Sequence, residues 1–169
     1  YEEEKTRILS LFPLTAVYRI HHIGSTAVNG LTSKPIIDIL LEINTECQEE
    51  KILNLLQKDG WIQMSYQRSP MKISFNKGYT PEGFAKKVYH LHVRRPGDWD
   101  ELYFRDYLQE HPDAAAEYAK LKQSLLYDFE HDRDGYTAAK TPFVCLYTEK
   151  ARKAYNGRYA PSLLQSSIL

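Results

Sequence analysis

Apolar residues in the first half of this chain fall into short strand-length runs. In the second half they recur at helical spacing. Residues 2–12 read as a helix, with Ile8, Leu9, Leu11 and Phe12 clustered at its end and Pro13 stopping it. Residues 17–23 are β-branched and aromatic and predict a strand, followed at once by Gly24-Ser25-Thr26. A short, partly helical piece is expected over 27–33. The most apolar run, 35–43, has the Ile and Leu density of a strand buried on both faces, with Asp38 in its middle. Asn44 or Thr45 can cap a helix that runs to Lys58 on an Ile52, Leu53, Leu55, Leu56 face, with Gly60 closing it. Three more strands are expected at 61–66, 72–76 and 87–94, the last two separated by the turn chemistry of 77–83.

Helices follow. Asp98 can cap one over 99–110, and Pro112 opens a second to about residue 130. Thr141-Pro142, a cap followed by a first-turn proline, opens a last one to about residue 155. The expectation is an α+β fold: a small mixed sheet, then a helical half, in one domain over 1–155. A weakly ordered tail is expected over 156–169. Internal repeats and low-complexity tracts are absent from the sequence.

Composition narrows the function classes. The 169 residues are 43% hydrophobic and 26% charged, an ordinary globular balance. With 22 basic and 22 acidic residues the net charge is zero, which argues against a sequence-blind coat on nucleic acid. Two cysteines make neither a disulfide framework nor a four-thiolate zinc site, and point to a reducing cytoplasm. No apolar run has the length of a membrane helix, and Tyr1-Glu2-Glu3-Glu4 is not a signal-peptide pattern. The neutral total hides an asymmetry. Residues 68–95 carry seven bases and one acid, whereas 101–134 carry nine acids and four bases. The basic stretch is either a solvated face or a wall for a compact polyanion such as a nucleoside triphosphate.

Several constellations could carry chemistry. Gly24-Ser25-Thr26 lies between a strand and a short helix, where backbone amides and hydroxyls can face a phosphate; it also has the makings of a plain turn. Asp38 is a carboxylate in an apolar strand. Its burial requires a hydrogen-bonded partner, a neighbouring Lys34 or Arg, or a metal. His90 and His92 are two residues apart on a predicted strand and so share a face, with Arg94 beyond them. Two such imidazoles serve structure, a metal or a phosphate. His21 and His22 point to opposite faces. Phe104-Arg105-Asp106-Tyr107-Leu108 and Asp132-Arg133-Asp134-Gly135-Tyr136 read as helix faces and capping turns, with Lys140 placed to reach an anion.

The order of these pieces resembles the nucleotidyltransferase superfamily, the fold of DNA polymerase β. There the Gly-Ser turn holds triphosphate and carboxylates on the next strand hold Mg²⁺. A closer resemblance, over residues 8–155, is to the GrpB family. It rests on the run from His22 through Gly24-Ser25-Thr26 and Lys34-Pro35 to Asp38-Ile39, and on His90-Leu91-His92-Val93. Phe104–Leu108 with His111-Pro112, Tyr118 with Leu121-Lys122, and Asp132-Arg133 with Tyr136, Lys140 and Phe143 complete it. Asn29 stands where the family has proline, a change that bears on the turn more than on the chemistry. The family also occurs behind dephospho-CoA kinase domains.

The resemblance implies a nucleotidyltransferase-like mixed sheet and a cytoplasmic, Mg²⁺- or Mn²⁺-dependent transfer of a nucleoside monophosphate from a nucleoside triphosphate to an unspecified acceptor. Gly24, Ser25 and Thr26 would seat the triphosphate. Asp38 would hold the metal, completed by His90 and His92, and Lys34, Arg94 and Lys140 would neutralise phosphate. No membrane and no sequence-specific nucleic acid enter this expectation. One departure bears on it: active superfamily members carry two acids one residue apart, and here Leu40 takes the second place. Glu42 shares the face but lies about 13 Å along the strand from Asp38. Two alternatives stay open. One is a binding module for a nucleotide or phosphorylated metabolite, without chemistry. The other is a metal-dependent hydrolase using Asp38, His90 and His92.

Overall fold

The computed structural model describes residues 1–81 and 83–161, and these fall into two compact units. The first unit, residues 1–27 and 33–97, contains α1 (Glu2–Leu11), β1 (Val17–Ile23), a 3₁₀ turn (Ser25–Ala27), β2 (Ile36–Ile43), α2 (Glu49–Lys58), β3 (Ile62–Gln67), β4 (Lys72–Thr80) and β5 (Gly83–Arg94). The five strands form one sheet in the order β1-β2-β5-β4-β3. β2 and β5 run parallel and every other neighbouring pair is antiparallel.

Period two divides this sheet into an apolar and a polar face. Ile39, Leu41 and Ile43 of β2, Leu91 and Val93 of β5, and Ile73 and Phe75 of β4 point one way. They bury themselves against Ile8 of α1 and Phe12 just past its end, Ile52 and Leu56 of α2, and Trp61. Each fully buried Leu or Ile here contributes on the order of 1.5–3 kcal/mol. Lys77 ties the same side together, its Nζ reaching Glu4 Oε1 at 2.6 Å and Asp59 Oδ2 at 2.9 Å. Asp38, Leu40 and Glu42 point the other way, in register with His90, His92 and Arg94 of β5. Asn76 and Ser74 of β4 stand opposite His90 and His92.

The second unit, residues 28–32 and 98–160, holds α3 (Asp100–Glu110), α4 (Pro112–Asp128) and α5 (Arg133–Tyr155). Its core joins Val28 and Leu31 to Leu108, Ala114, Tyr118 and Tyr147. Asp106 of α3 is buried and accepts from Arg105, Tyr159 and Arg158, the last at 2.9 Å, so Arg158 and Tyr159 are pinned to the helix. Residues 162–169 of the expected tail lie outside the described residues.

The α+β reading holds: a five-stranded mixed sheet with helices, then a helical half. Five local expectations differ. β4 continues to Thr80 and β5 begins at Gly83, so most of the turn expected over 77–83 is strand. The helical piece is a single 3₁₀ turn over Ser25–Ala27, ahead of the partly helical stretch expected over 27–33. α2 begins at Glu49 with Gln48 in the cap position and no side-chain cap, so neither Asn44 nor Thr45 starts it; Asn44 Nδ2 donates to Thr15 O and the Thr45 hydroxyl to Glu46. Asp98 does not cap α3; its carboxylate accepts from Tyr103 and Arg152 instead. α5 starts at Arg133, capped by Asp132, which accepts from Gly135 N. It runs straight through Pro142, where the sequence predicted a start.

Candidate functional site

The polar face of the first sheet gathers a site around Asp38. β1 ends at Ile23, which pairs with Asp38, and the chain then turns at Gly24 with φ +72°. A Cβ on Gly24 would stand 3.0 Å from Asp38 Cγ and closer still to Oδ2, so the backbone touches the carboxylate only because this residue has no side chain. Ser25 and Thr26 follow in the 3₁₀ turn. Thr26 donates to Ile36 O at 3.2 Å and lies 3.0 Å from His22 Nε2, which ties the turn to the start of β2. The turn and the carboxylate are therefore held as one piece by two adjacent strands and a hydroxyl bridge.

Parallel pairing with β5 brings the histidines to the same place. His90 is the register partner of Asp38, and its Nδ1 lies 3.2 Å from Asp38 Oδ1. His92 Nε2 lies 3.8 Å from the same oxygen. Burial alone would raise the Asp38 carboxyl. The hydrogen bonds and positive charge of His90 and His92 more than offset it and hold the group below the usual carboxylate range. Asp38 is thus an anion flanked by two imidazoles at the mouth of a Gly-Ser turn.

The third partner of this cluster is one that sequence reasoning assigned to a turn. Tyr79 Oη lies 2.8 Å from His90 Nε2, with the two ring planes 6° apart. Because the Asp38 carboxylate only accepts, His90 Nδ1 carries a proton toward it, and whenever the ring holds a single proton its Nε2 accepts from Tyr79. The strand period hides this residue. Tyr79 is two positions past Lys77, whose side chain serves the helical side of the sheet. The pairing becomes irregular between them, at Gly78 with φ +90°. That irregularity turns the Tyr79 hydroxyl to the Asp38 side. A glycine inside a strand-like pattern was the available signal.

The other expected residues are placed as follows. Lys34 is exposed in the segment that leads into β2. Arg94 shares the face of His90 and His92 but is buried, with Nη1 donating to Val93 O at 3.1 Å. Lys140 belongs to the second unit, on α5, its Nζ 4.2 Å from the centre of the Tyr136 ring. Leu40, in the place of a second acid, is fully buried, and Glu42 is taken up by Arg19 and by Gly97 N at 2.8 Å. The donors present do not fit a magnesium pair, which requires bridging carboxylate oxygens. Among the described residues no three His, Cys, Asp or Glu side chains converge as a metal site. No helix among those residues is long and apolar enough to cross a membrane.

The chain is similar in sequence and in fold to known proteins. The crystal structure of conserved protein GrpB from Enterococcus faecalis superposes with a TM-score of 0.72 at 28% identity, covering 92% of each chain. The chain is 34% identical over 148 residues to the glutamate-rich protein GrpB of Alkalihalophilus pseudofirmus, spanning 85% of this chain and 84% of that one. It is 36% identical over 136 residues to a UPF0157 protein of Pseudomonas aeruginosa, and spans 80% of itself but only 56% of that relative. A dephospho-CoA kinase of Mycolicibacterium paratuberculosis is 25% identical over 162 residues, 82% of this chain and 39% of that protein. The family described as GrpB protein matches residues 1–150, and with these relatives it establishes that the chain belongs to the GrpB family.

Proposed function

We propose that the chain binds the phosphate groups of a nucleotide or a similar phosphorylated metabolite at the Gly24-Ser25-Thr26 turn, as a binding domain built on the nucleotidyltransferase plan. The observation that carries this reading is the seating of Gly24 directly against the Asp38 carboxylate. A phosphate brought to that turn meets a negative charge, so the site works only with a positive charge between the two. His92, whose Nε2 lies 3.8 Å from Asp38 Oδ1, can supply it as imidazolium without a metal. The turn offers amides and the Ser25 hydroxyl, and exposed Lys34 stands at the entry to β2. A relative named dephospho-CoA kinase is consistent with a nucleotide-like ligand. A cytoplasmic setting belongs to the same proposal.

Metal-dependent transfer of a nucleoside monophosphate is the second reading, favoured by the same order of turn and acidic strand. Leu40 and the engaged Glu42 weigh against a two-ion site. Calorimetry with ATP, GTP, CTP and UTP, each with Mg²⁺, Mn²⁺ or a chelator, separates the two. Binding that survives chelation, weakens about tenfold in Ser25→Ala and persists or strengthens in Asp38→Asn supports the binding module. Binding that requires the divalent ion and vanishes in Asp38→Asn, with release of pyrophosphate, supports transfer. Failure of all four nucleotides to bind the wild-type protein overturns both.

A further inference from the structure

The hydroxyl of Tyr79 sits in an arrangement that the binding reading does not use. Tyr79 Oη, His90 Nε2 and Nδ1, and Asp38 Oδ1 form a continuous line of hydrogen bonds, 2.8 Å and 3.2 Å long. A hydroxyl on an imidazole whose far nitrogen is held by a carboxylate is the arrangement that activates a nucleophile. The carboxylate fixes the tautomer, the imidazole takes the proton, and the oxygen attacks. The fold places the hydroxyl there at a cost. Regular pairing would carry Tyr79 to the side of Lys77, and the irregularity at Gly78 turns it back. A Cβ on Gly78 would stand 3.1 Å from Val88 Cα and closer still to Lys87 O, so only glycine fits that turn. Phe84 braces the ring edge-on, with centroids 5.3 Å apart, while Tyr79 stays 38% exposed. The hydroxyl is thus oriented, carried by a partly exposed residue, and one imidazole away from the Asp38 carboxylate that stands against Gly24.

We propose that Tyr79 is the nucleophile of this site and accepts a nucleotidyl group from a bound nucleoside triphosphate; in that form the step rests on the binding reading above. Tyr79 Oη attacks the α-phosphorus and forms the new P–O bond. The bond from the α-phosphorus to the bridging oxygen breaks, and pyrophosphate leaves with the electron pair. The phenolic proton passes to His90 Nε2, and Asp38 stabilises the imidazolium through Nδ1. No oxidant or reductant enters, and the protein is left as an O-nucleotidyl tyrosine.

Intact-protein and peptide mass spectrometry of the full chain, incubated with each nucleoside triphosphate with and without Mg²⁺ or Mn²⁺, tests this. The expected result is a gain of one nucleoside monophosphate mapped to Tyr79. It is absent in Tyr79→Phe and slowed on the order of a hundredfold in His90→Asn. A nucleotide that binds by calorimetry yet leaves the chain unmodified, or modifies another residue, overturns the proposal. If no nucleotide binds, the binding reading falls by itself, and labelling with phenylmethanesulfonyl fluoride then decides the nucleophile. Labelling of Tyr79 faster than that of Tyr127, which is 91% exposed and serves as the reference phenol, supports it. Equal or slower labelling overturns it.

Discussion

At Gly24 two demands meet in one residue: a left-handed backbone and no side chain where the Asp38 carboxylate stands. Gly24→Ala is therefore expected to cost about 1–3 kcal/mol in chemical denaturation, from the strained φ and from displacement of Asp38. The same variant should bind nucleotide less well than this loss of stability explains. A second single-residue test lies in the other unit. Lys122 of α4 is buried, with Nζ donating to Thr32 O at 2.6 Å and lying 5.1 Å from the centre of the Tyr118 ring. Burial, with repulsion from Lys140 as a smaller cause, brings its ammonium down to about 8. The unfolded lysine keeps its proton to about 10.4, so between these values the unfolded chain binds more protons and folding is favoured as pH rises. The stability of the wild-type protein relative to Lys122→Met should therefore increase from pH 8 to pH 10, by up to about 3 kcal/mol. A flat difference across that range would show that Lys122 is charged throughout.

Elements obeyed local signals where the signal was hydrophobic period and departed from them where it was a single capping residue. The β1 and β2 runs appear as the apolar pattern predicts, because a slip by one residue would expose Ile39, Leu41 and Ile43 together. The start of α5 was misread at Thr141-Pro142. A proline there has the same local chemistry at a first turn as in an interior, and only the preceding residues decide which it is. Asp132 accepts from Gly135 N and starts the helix nine residues earlier, while Thr141 bonds back to Thr137 O. Phe143 and Tyr147, packed with Tyr118, hold the later turns in place despite the missing amide. Pro142 itself is exposed. Pro142→Ala should therefore restore a helical hydrogen bond at little packing cost and stabilise the protein by about 1–3 kcal/mol, read as a higher Tm. A lower Tm would show that the proline fixes the path of α5.

At the scale of the whole molecule, the fold class and half of the candidate site were legible in the chain. Asp38 in an apolar run declares itself because a carboxylate in apolar surroundings must find partners. His90 and His92 declare a shared face because the strand period is two. Neither fact says that the two strands are neighbours. That follows from the parallel pairing of β2 and β5, which connects residues 52 positions apart and leaves no trace in local pattern. Tyr79 was beyond reach for a further reason: its role depends on an irregularity at Gly78, and the irregularity reverses the face that the strand period assigns. The charge balance behaves likewise. Glu4 and Asp59 of the first unit pair with Lys77, and Glu42 pairs with Arg19, so charges far apart in the chain are neutralised locally. The sequence by itself determined the periods, the Gly24-Ser25-Thr26 turn and the family, because these depend on neighbours along the chain. Which carboxylate meets which imidazole and which hydroxyl was decided only in the tertiary structure, because strand order and a local irregularity set those distances.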